Sequence, residues 1–181
     1  RKRRIEIWCK LAQLIGNHEF GSSPKLFDYG CGFGYSMDFA RELGIDTYGV
    51  DIDENRLDIC RRKGHKVEKP DQFDNKYGRI KADIILFQSC IEHIIDLPAV
   101  MTFLKEKANH TATLQVNGLT PRIISIERRK GEFVKAHFIE HVNYFPIKTL
   151  DLLFSNYSFT LLPKKLVKPI KSWRDLLNIN L

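Results

Sequence analysis

The sequence predicts an α/β fold: a doubly wound, mostly parallel sheet with helices on both faces. Three observations lead there. Short apolar runs alternate with segments whose apolar residues recur at helical spacing, the rhythm of a parallel sheet joined by crossover helices. One run, Ala82 to Phe87, is almost wholly apolar, as a strand covered on both faces requires. And a glycine cluster, Gly30-Cys31-Gly32-Phe33-Gly34, stands where the first strand gives way to a helix.

The elements follow in order. Lys2 to Ile15 places Ile5, Trp8, Leu11, Ala12 and Ile15 on one helical face, and Gly16-Asn17 ends it. After a Gly21 to Pro24 loop, Lys25 to Tyr29 reads as a buried strand. Ser36 to Leu43 returns to helical spacing, with Gly44 as its C-terminal stop. Thr47 to Val50 is a second strand ending at Asp51, Glu54 to Lys63 a second helix stopped by Gly64, and His65 to Val67 a third strand. Lys69 to Lys81 is expected to be a polar loop. Ala82 to Phe87 is the fourth strand. Leu97 to Lys107 is a helix with Asp96 at its N-cap and Pro98 in its first turn, and Thr111 to Val116 is the fifth strand. Right-handed crossovers join them. The stretch at about 118–146 breaks the rhythm with Pro121, the basic run Arg128-Arg129-Lys130 and the patch His137 to Phe145. It is expected to be an insertion or lid over the sheet edge. Ile147 to Asn156 is a helix and Phe159 to Leu162 a late strand.

The 181 residues suffice for one domain with a sizeable core, and 43% hydrophobic with 28% charged residues is an ordinary globular composition. No apolar run approaches the roughly 20 residues that span a bilayer. The basic start, Arg1 to Arg4, is followed by an amphipathic pattern and no apolar core, so no signal peptide is expected. The chain does not begin with Met, so a place within a longer protein stays open. Cys9, Cys31, Cys60 and Cys90 are far apart with no CxxC pair, which argues against a zinc ribbon and for reduced thiols in the cytoplasm. The formal charge of +7 is spread along the chain and reads as a solvated surface, with a nucleic-acid partner as the minority reading.

The chemistry concentrates in Asp28-Tyr29-Gly30-Cys31-Gly32-Phe33-Gly34. Glycines at a strand-to-helix turn let the backbone turn tightly and approach a ligand. Asp28 sits just inside the turn, where a carboxylate meets a cationic group. Asp51 ends the next strand about 20 residues on, where an acid accepts from ribose hydroxyls. Tyr35 stands where the dinucleotide pattern GxGxxG needs its third glycine, which argues against NAD or FAD.

These residues resemble the first motif of class I S-adenosylmethionine (SAM)-dependent methyltransferases, whose fold is Rossmann-like. Tyr48-Gly49-Val50-Asp51-Ile52-Asp53 resembles their second-strand acidic motif. Ile91-Glu92-His93-Ile94 resembles the segment after strand four in the small-molecule, ubiquinone-biosynthesis-like branch. His141-Val142-Asn143-Tyr144-Phe145, followed by a helix and Tyr157-Ser158-Phe159, is similar to that branch's closing motif. The resemblance implies SAM as cofactor and S-adenosylhomocysteine (SAH) as product. It implies that Asp28, Tyr29, Gly30, Gly32 and Gly34 line the methionine end, that Asp51 holds the ribose and that Ile52 packs on the adenine. Asp71, Gln72 and Phe73 are candidates for the far edge of the adenine, and Gln88 and Ser89 for the surroundings of the sulfonium. Glu92, His93, His141 and Tyr144 are the candidate acid–base and acceptor-binding groups. Some relatives carry Glu-x-x-Glu-His and bind a divalent metal; here Ser89 replaces the first Glu, so Glu92, His93 and His141 are not expected to hold one.

The function so implied is methyl transfer from SAM to an oxygen, nitrogen or carbon nucleophile of a small-molecule, glycan or lipid-linked acceptor. The alternatives are an RNA methyltransferase, disfavoured because no Asn/Asp-Pro-Pro-Tyr segment follows strand four, and a SAM-binding module of a larger protein without catalysis.

Overall fold

The computed structural model of the chain describes residues 24–117, 143 and 147–159. The expected first helix, His141, Tyr144, nearly all of the expected lid and the late strand beyond Phe159 lie outside the described residues.

Five strands form one all-parallel sheet: β1 (Lys25–Tyr29), β2 (Asp46–Val50), β3 (Lys66–Glu68), β4 (Ala82–Gln88) and β5 (Ala108–Asn117). Their order is β3-β2-β1-β4-β5, so the chain first winds one way from β1 and then returns to wind the other way. That reversal leaves a crevice beyond the carboxyl ends of β1 and β4, the normal ligand position in open α/β sheets. Pairing runs from Lys25↔Asp46 to Tyr29↔Val50 on one side of β1, and from Leu26↔Ile84 to Tyr29↔Phe87 on the other. Among the described residues no helix is long and apolar enough to cross a membrane.

Side-chain alternation along the strands feeds two cores. On one face Met37, Leu57, Cys60 and Val67 pack together with Cys31, bringing α1 (Tyr35–Glu42) and α2 (Glu54–Arg62) onto the sheet. On the other, Phe27, Tyr48, Val50, Ile85 and Phe87 meet Phe73 of α3 (Phe73–Tyr77) and Val100, Met101 and Leu104 of α4 (Leu97–Lys107). Leu150, Leu153 and Phe154 of α5 (Ile147–Asn156) pack on this second core. The helices thus cover both faces, as the sequence predicts.

Local chemistry explains the helix ends. Asp53 caps α2 by accepting from the backbone N–H groups of Asn55 and Arg56 at 3.0 and 3.4 Å. Asp96 caps α4 by accepting from Ala99 N–H at 3.1 Å, with Pro98 in the first turn, where its missing N–H costs nothing. Gly44 and Gly64, with φ of 77° and 80°, follow the ends of α1 and α2.

The expected polar loop at Lys69 to Lys81 is corrected: it contains α3. The segment is too short to show a helical period, yet Phe73 and Tyr77 fall one turn apart and their rings meet at 5.2 Å.

Candidate cofactor and active site

The glycine turn is held by three hydrogen bonds to two anchors. The backbone N–H groups of Gly30 and Cys31 both donate to the carbonyl of Val50, at 2.8 and 3.0 Å, which locks the turn to the end of β2. The N–H of Gly32 donates to Asp51 Oδ2 at 2.8 Å, while Asp53 N–H donates to Oδ1 at 2.9 Å. Asp51 therefore spans the turn and the start of α2 with one carboxylate. Gly30 has φ of 76°, and a Cβ there would stand 2.9 Å from Cys90 Sγ, so the position needs glycine on both counts. A Cβ on Gly32 would meet nothing within 4 Å, so the turn is open at that residue.

Asp28 and Asp51 are 4% and 6% exposed and lie on neighbouring strand ends. Burial, and secondarily the Asp51 charge, pushes the Asp28 carboxyl up to about 7. Two buried acids at a glycine turn form an environment that welcomes a positive charge. Ile52, next along from Asp51, is 84% exposed.

The other expected residues separate into groups. Tyr29 is half-buried, with its ring edge-on to Phe87 at 5.5 Å and Phe103 at 5.9 Å. Gly34 ends the turn with φ of 72°. Asp71 and Gln72 are exposed in the segment before α3. Phe73 is corrected from an adenine contact to a core residue. It is completely buried, and its ring is taken up by aromatic neighbours, 5.2 Å from that of Phe27 and 6.3 Å from that of Tyr48. Gln88 and Ser89 close β4. Gln88 holds a buried Nε2 with no hydrogen-bond partner, and Ser89 takes a left-handed φ of 49°.

After β4 the chain makes one 3₁₀ turn, Ile91–His93, which divides the candidate acid–base pair. His93 is exposed. Glu92 is 1% exposed, and neither of its carboxylate oxygens has a hydrogen-bond partner. The turn is stapled from outside by a residue the sequence reading passed over. Asn143 donates its backbone N–H to the Glu92 carbonyl at 3.1 Å, and its Nδ2 donates to the carbonyls of Ile94 and Ile91. The only sequence signal for Asn143 is its place inside the His141 to Phe145 motif. Among the described residues, no three His, Cys, Asp or Glu side chains come together as a metal site.

A five-stranded parallel sheet with a glycine turn and an acid at the second strand end defines a class I methyltransferase fold, and solved structures agree. A SAM-dependent methyltransferase from Archaeoglobus fulgidus superposes with a TM-score of 0.62 at 19% identity, over 86% of this chain and 69% of that one. The cyclopropane synthase MmaA2 from Mycobacterium tuberculosis gives 0.63 at 16% identity, over 88% of this chain and 61% of that one. The plantazolicin methyltransferase BamL, solved with SAH, gives 0.62 at 16% identity, over 86% and 61%. The chain thus spans about two thirds of the length of these structures. No curated protein matches it by sequence. The family model of the methyltransferase domain matches residues 1–164, and the chain belongs to that family.

Proposed function

We propose that the domain binds SAM across the carboxyl ends of β1, β2 and β4 and transfers its methyl group to a nucleophile of a small-molecule, glycan or lipid-linked acceptor. The observation that carries the reading is the pair of buried acids, Asp28 and Asp51, beside a turn that is open at Gly32. The residues suit the cofactor's parts. Asp28 would face the positively charged methionine end, Asp51 the ribose hydroxyls through lone pairs left over from its two backbone bonds, and Ile52 the adenine face. SAM supplies a methyl group already activated on a positive sulfur.

The chain's own work is then alignment. The bonds from Gly30 and Cys31 to Val50 and from Gly32 to Asp51 fix one reactant's seat, and the Asn143 staple fixes the turn carrying Glu92 and His93. Such positioning supplies roughly 7–11 kcal/mol of a two-reactant barrier. Buried Glu92 would accept a hydrogen bond from the acceptor's nucleophile, and His93 or His141 would take its proton where the nucleophile is a hydroxyl. The sulfonium neighbourhood would fall to Gln88 and Ser89. The motifs around Glu92 and Asn143 support the small-molecule branch.

Calorimetry with SAM and SAH, beside an Asp51→Ala variant, tests the reading. Binding that weakens at least about tenfold in the variant supports it, whereas a folded protein that takes up neither ligand removes it. A transfer assay over an acceptor panel then separates an enzyme from a SAM-binding module. One surface favours RNA as a second reading: Phe33 and Tyr35 are 44% and 45% exposed, with Arg56 and Lys63 over their rings at 5.7 and 5.0 Å. Salt-dependent RNA binding that is lost in Phe33→Ala would favour it.

A further inference from the structure

Lys63 follows the last residue of α2, 30 positions along the chain from Phe33, yet its ammonium ends on the glycine turn. Lys63 Nζ donates to the carbonyl of Phe33 at 2.7 Å and to Asp38 Oδ2 at 2.8 Å, and it stands over the ring of Tyr35, 5.0 Å from the centroid. Asp38 lies on α1 and holds the next carbonyl, since its backbone N–H donates to Gly34 at 2.8 Å. The other oxygen of Asp38, Oδ1, is braced by Nε2 of buried His65 at 2.7 Å. Arg41 of α1 returns the link, donating from Nη1 to the carbonyl of Lys63 at 2.7 Å.

Every carbonyl from Cys31 to Gly34 thus has a donor. Gly34 N–H serves Cys31 at 2.9 Å, the Cys60 thiol serves Gly32 at 3.3 Å, Lys63 serves Phe33, and Asp38 N–H serves Gly34. Of these four donors only Lys63 is an ionised group, and charge-assisted hydrogen bonds are roughly twice as strong as neutral ones. Phe33 is 44% exposed, so packing does little to fix it. Three glycines in the five residues Gly30 to Gly34 also give this stretch much backbone freedom to lose. The exit of the turn therefore depends on a restraint from outside, and the Lys63–Asp38 pair supplies it.

We propose that Lys63 is a positioning residue for the cofactor: by tying the Phe33 carbonyl to Asp38 it fixes the exit of the glycine turn before the ligand arrives. The proposal rests on the SAM-binding reading above. A seat already ordered binds more tightly than one the ligand must order on arrival. Without the ammonium, the Phe33 carbonyl loses its donor and Asp38 keeps only His65. The turn then samples more conformations when empty, and affinity falls although the bound seat keeps its shape.

Calorimetry with SAH on the full chain tests this, beside thermal melts and hydrogen exchange of the peptide covering residues 30–36. Lys63→Met removes the ammonium and keeps an apolar stem. Its SAH affinity should fall about tenfold. Exchange in the ligand-free turn should quicken while the five strands exchange as in wild type. Lys63→Arg can donate to a carbonyl and a carboxylate together, and should recover affinity to within about threefold of wild type. If Lys63→Met does not fold, Lys63→Gln, which keeps a neutral donor and no charge, replaces it with the same direction expected. A variant whose strands all exchange faster, with no recovery in Lys63→Arg, would show general destabilisation and overturn the proposal. Wild type that binds SAH beside a Lys63→Met of equal affinity removes the role of Lys63 alone. Folded wild type that takes up no SAH removes the cofactor reading, and the positioning role with it.

Discussion

Asp51 holds Gly32 by a 2.8 Å hydrogen bond from the glycine N–H to its Oδ2, while its other oxygen accepts from Asp53 N–H. The acid expected to grip a ribose is thus also the clasp that shapes the turn. Asp51→Asn can keep only one of the two backbone bonds, since an amide offers a single acceptor oxygen. SAH affinity in calorimetry should drop about tenfold in Asp51→Asn and further in Asp51→Ala. Equal affinity in both variants and wild type would separate the clasp from ligand binding.

The raised carboxyl of Asp28 predicts that both stability and SAM affinity vary with pH. Its carboxyl is raised from 3.8 to about 7, so the folded state holds this proton more tightly than the unfolded chain does. The sign follows: the contribution of Asp28 is most favourable below 3.8, declines as pH rises through the interval up to about 7, and is level above it. At about 1.36 kcal/mol per unit, the loss is on the order of 4 kcal/mol. Asp38, Asp46 and Glu68 shift downward and act oppositely, so the informative quantity is wild type minus Asp28→Asn. Denaturant titrations should show the variant gaining stability relative to wild type between pH 4 and 7. Affinity for cationic SAM should rise with pH through the same window in wild type and lose that rise in the variant.

Glu92 combines burial with two carboxylate oxygens that have no partner among the described residues, a costly state for a polar group. Glu92→Gln replaces the acid with an amide at nearly constant volume. It should stabilise the ligand-free fold by about 1–3 kcal/mol and slow methyl transfer by about tenfold or more, a trade expected of residues kept for function. A thermal melt and a transfer assay read the two effects separately. A variant that is less stable and fully active would contradict both.

Asn143 positions Glu92 and His93 through three carbonyls of their turn. Asn143→Ala removes the two side-chain bonds, each worth about 0.5–1.5 kcal/mol. The expected outcome is a lower kcat with SAH affinity unchanged. Asn143→Asp should behave like the alanine, because a carboxylate cannot donate to a carbonyl. Equal loss of SAH binding would point instead to general unfolding.

Phe73→Ala tests whether this ring serves the core alone. Deleting a fully buried ring should cost roughly 3–5 kcal/mol. SAH affinity, measured at a temperature where the variant remains folded, should equal that of wild type. A selective loss of affinity would return Phe73 to the ligand.

Much of this was legible in the sequence because it depends on local patterning. The Ala82 to Phe87 run, the Leu97 to Lys107 helix with its Asp96 cap, and the glycine turn after Tyr29 follow from periodicity and backbone freedom within a few residues. Asp51 was legible as a strand-end acid. Its clasp on Gly32 was not, since that bond depends on β1 and β2 lying side by side. Phe73 was misassigned because a five-residue helix shows no period, and an aromatic side chain between polar neighbours suits a ligand wall as well as a core. Glu92 and His93 are consecutive in sequence, and only the 3₁₀ turn reveals that one is buried and the other exposed. The packing of Cys31 and Cys60 into one core depends on where α2 lands on the sheet, which no local pattern encodes.

Ser89 adopts a left-handed backbone at the end of β4, where glycine, asparagine and aspartate are the comfortable occupants and β-branched residues are not. A saturation library at this position would therefore rank its members by conformational tolerance before any chemical preference of the neighbouring crevice emerged. Glycine would head that ranking and valine and isoleucine would close it. An asparagine found there in another chain would record the shape of the main chain, and would say nothing about which molecule accepts the methyl group.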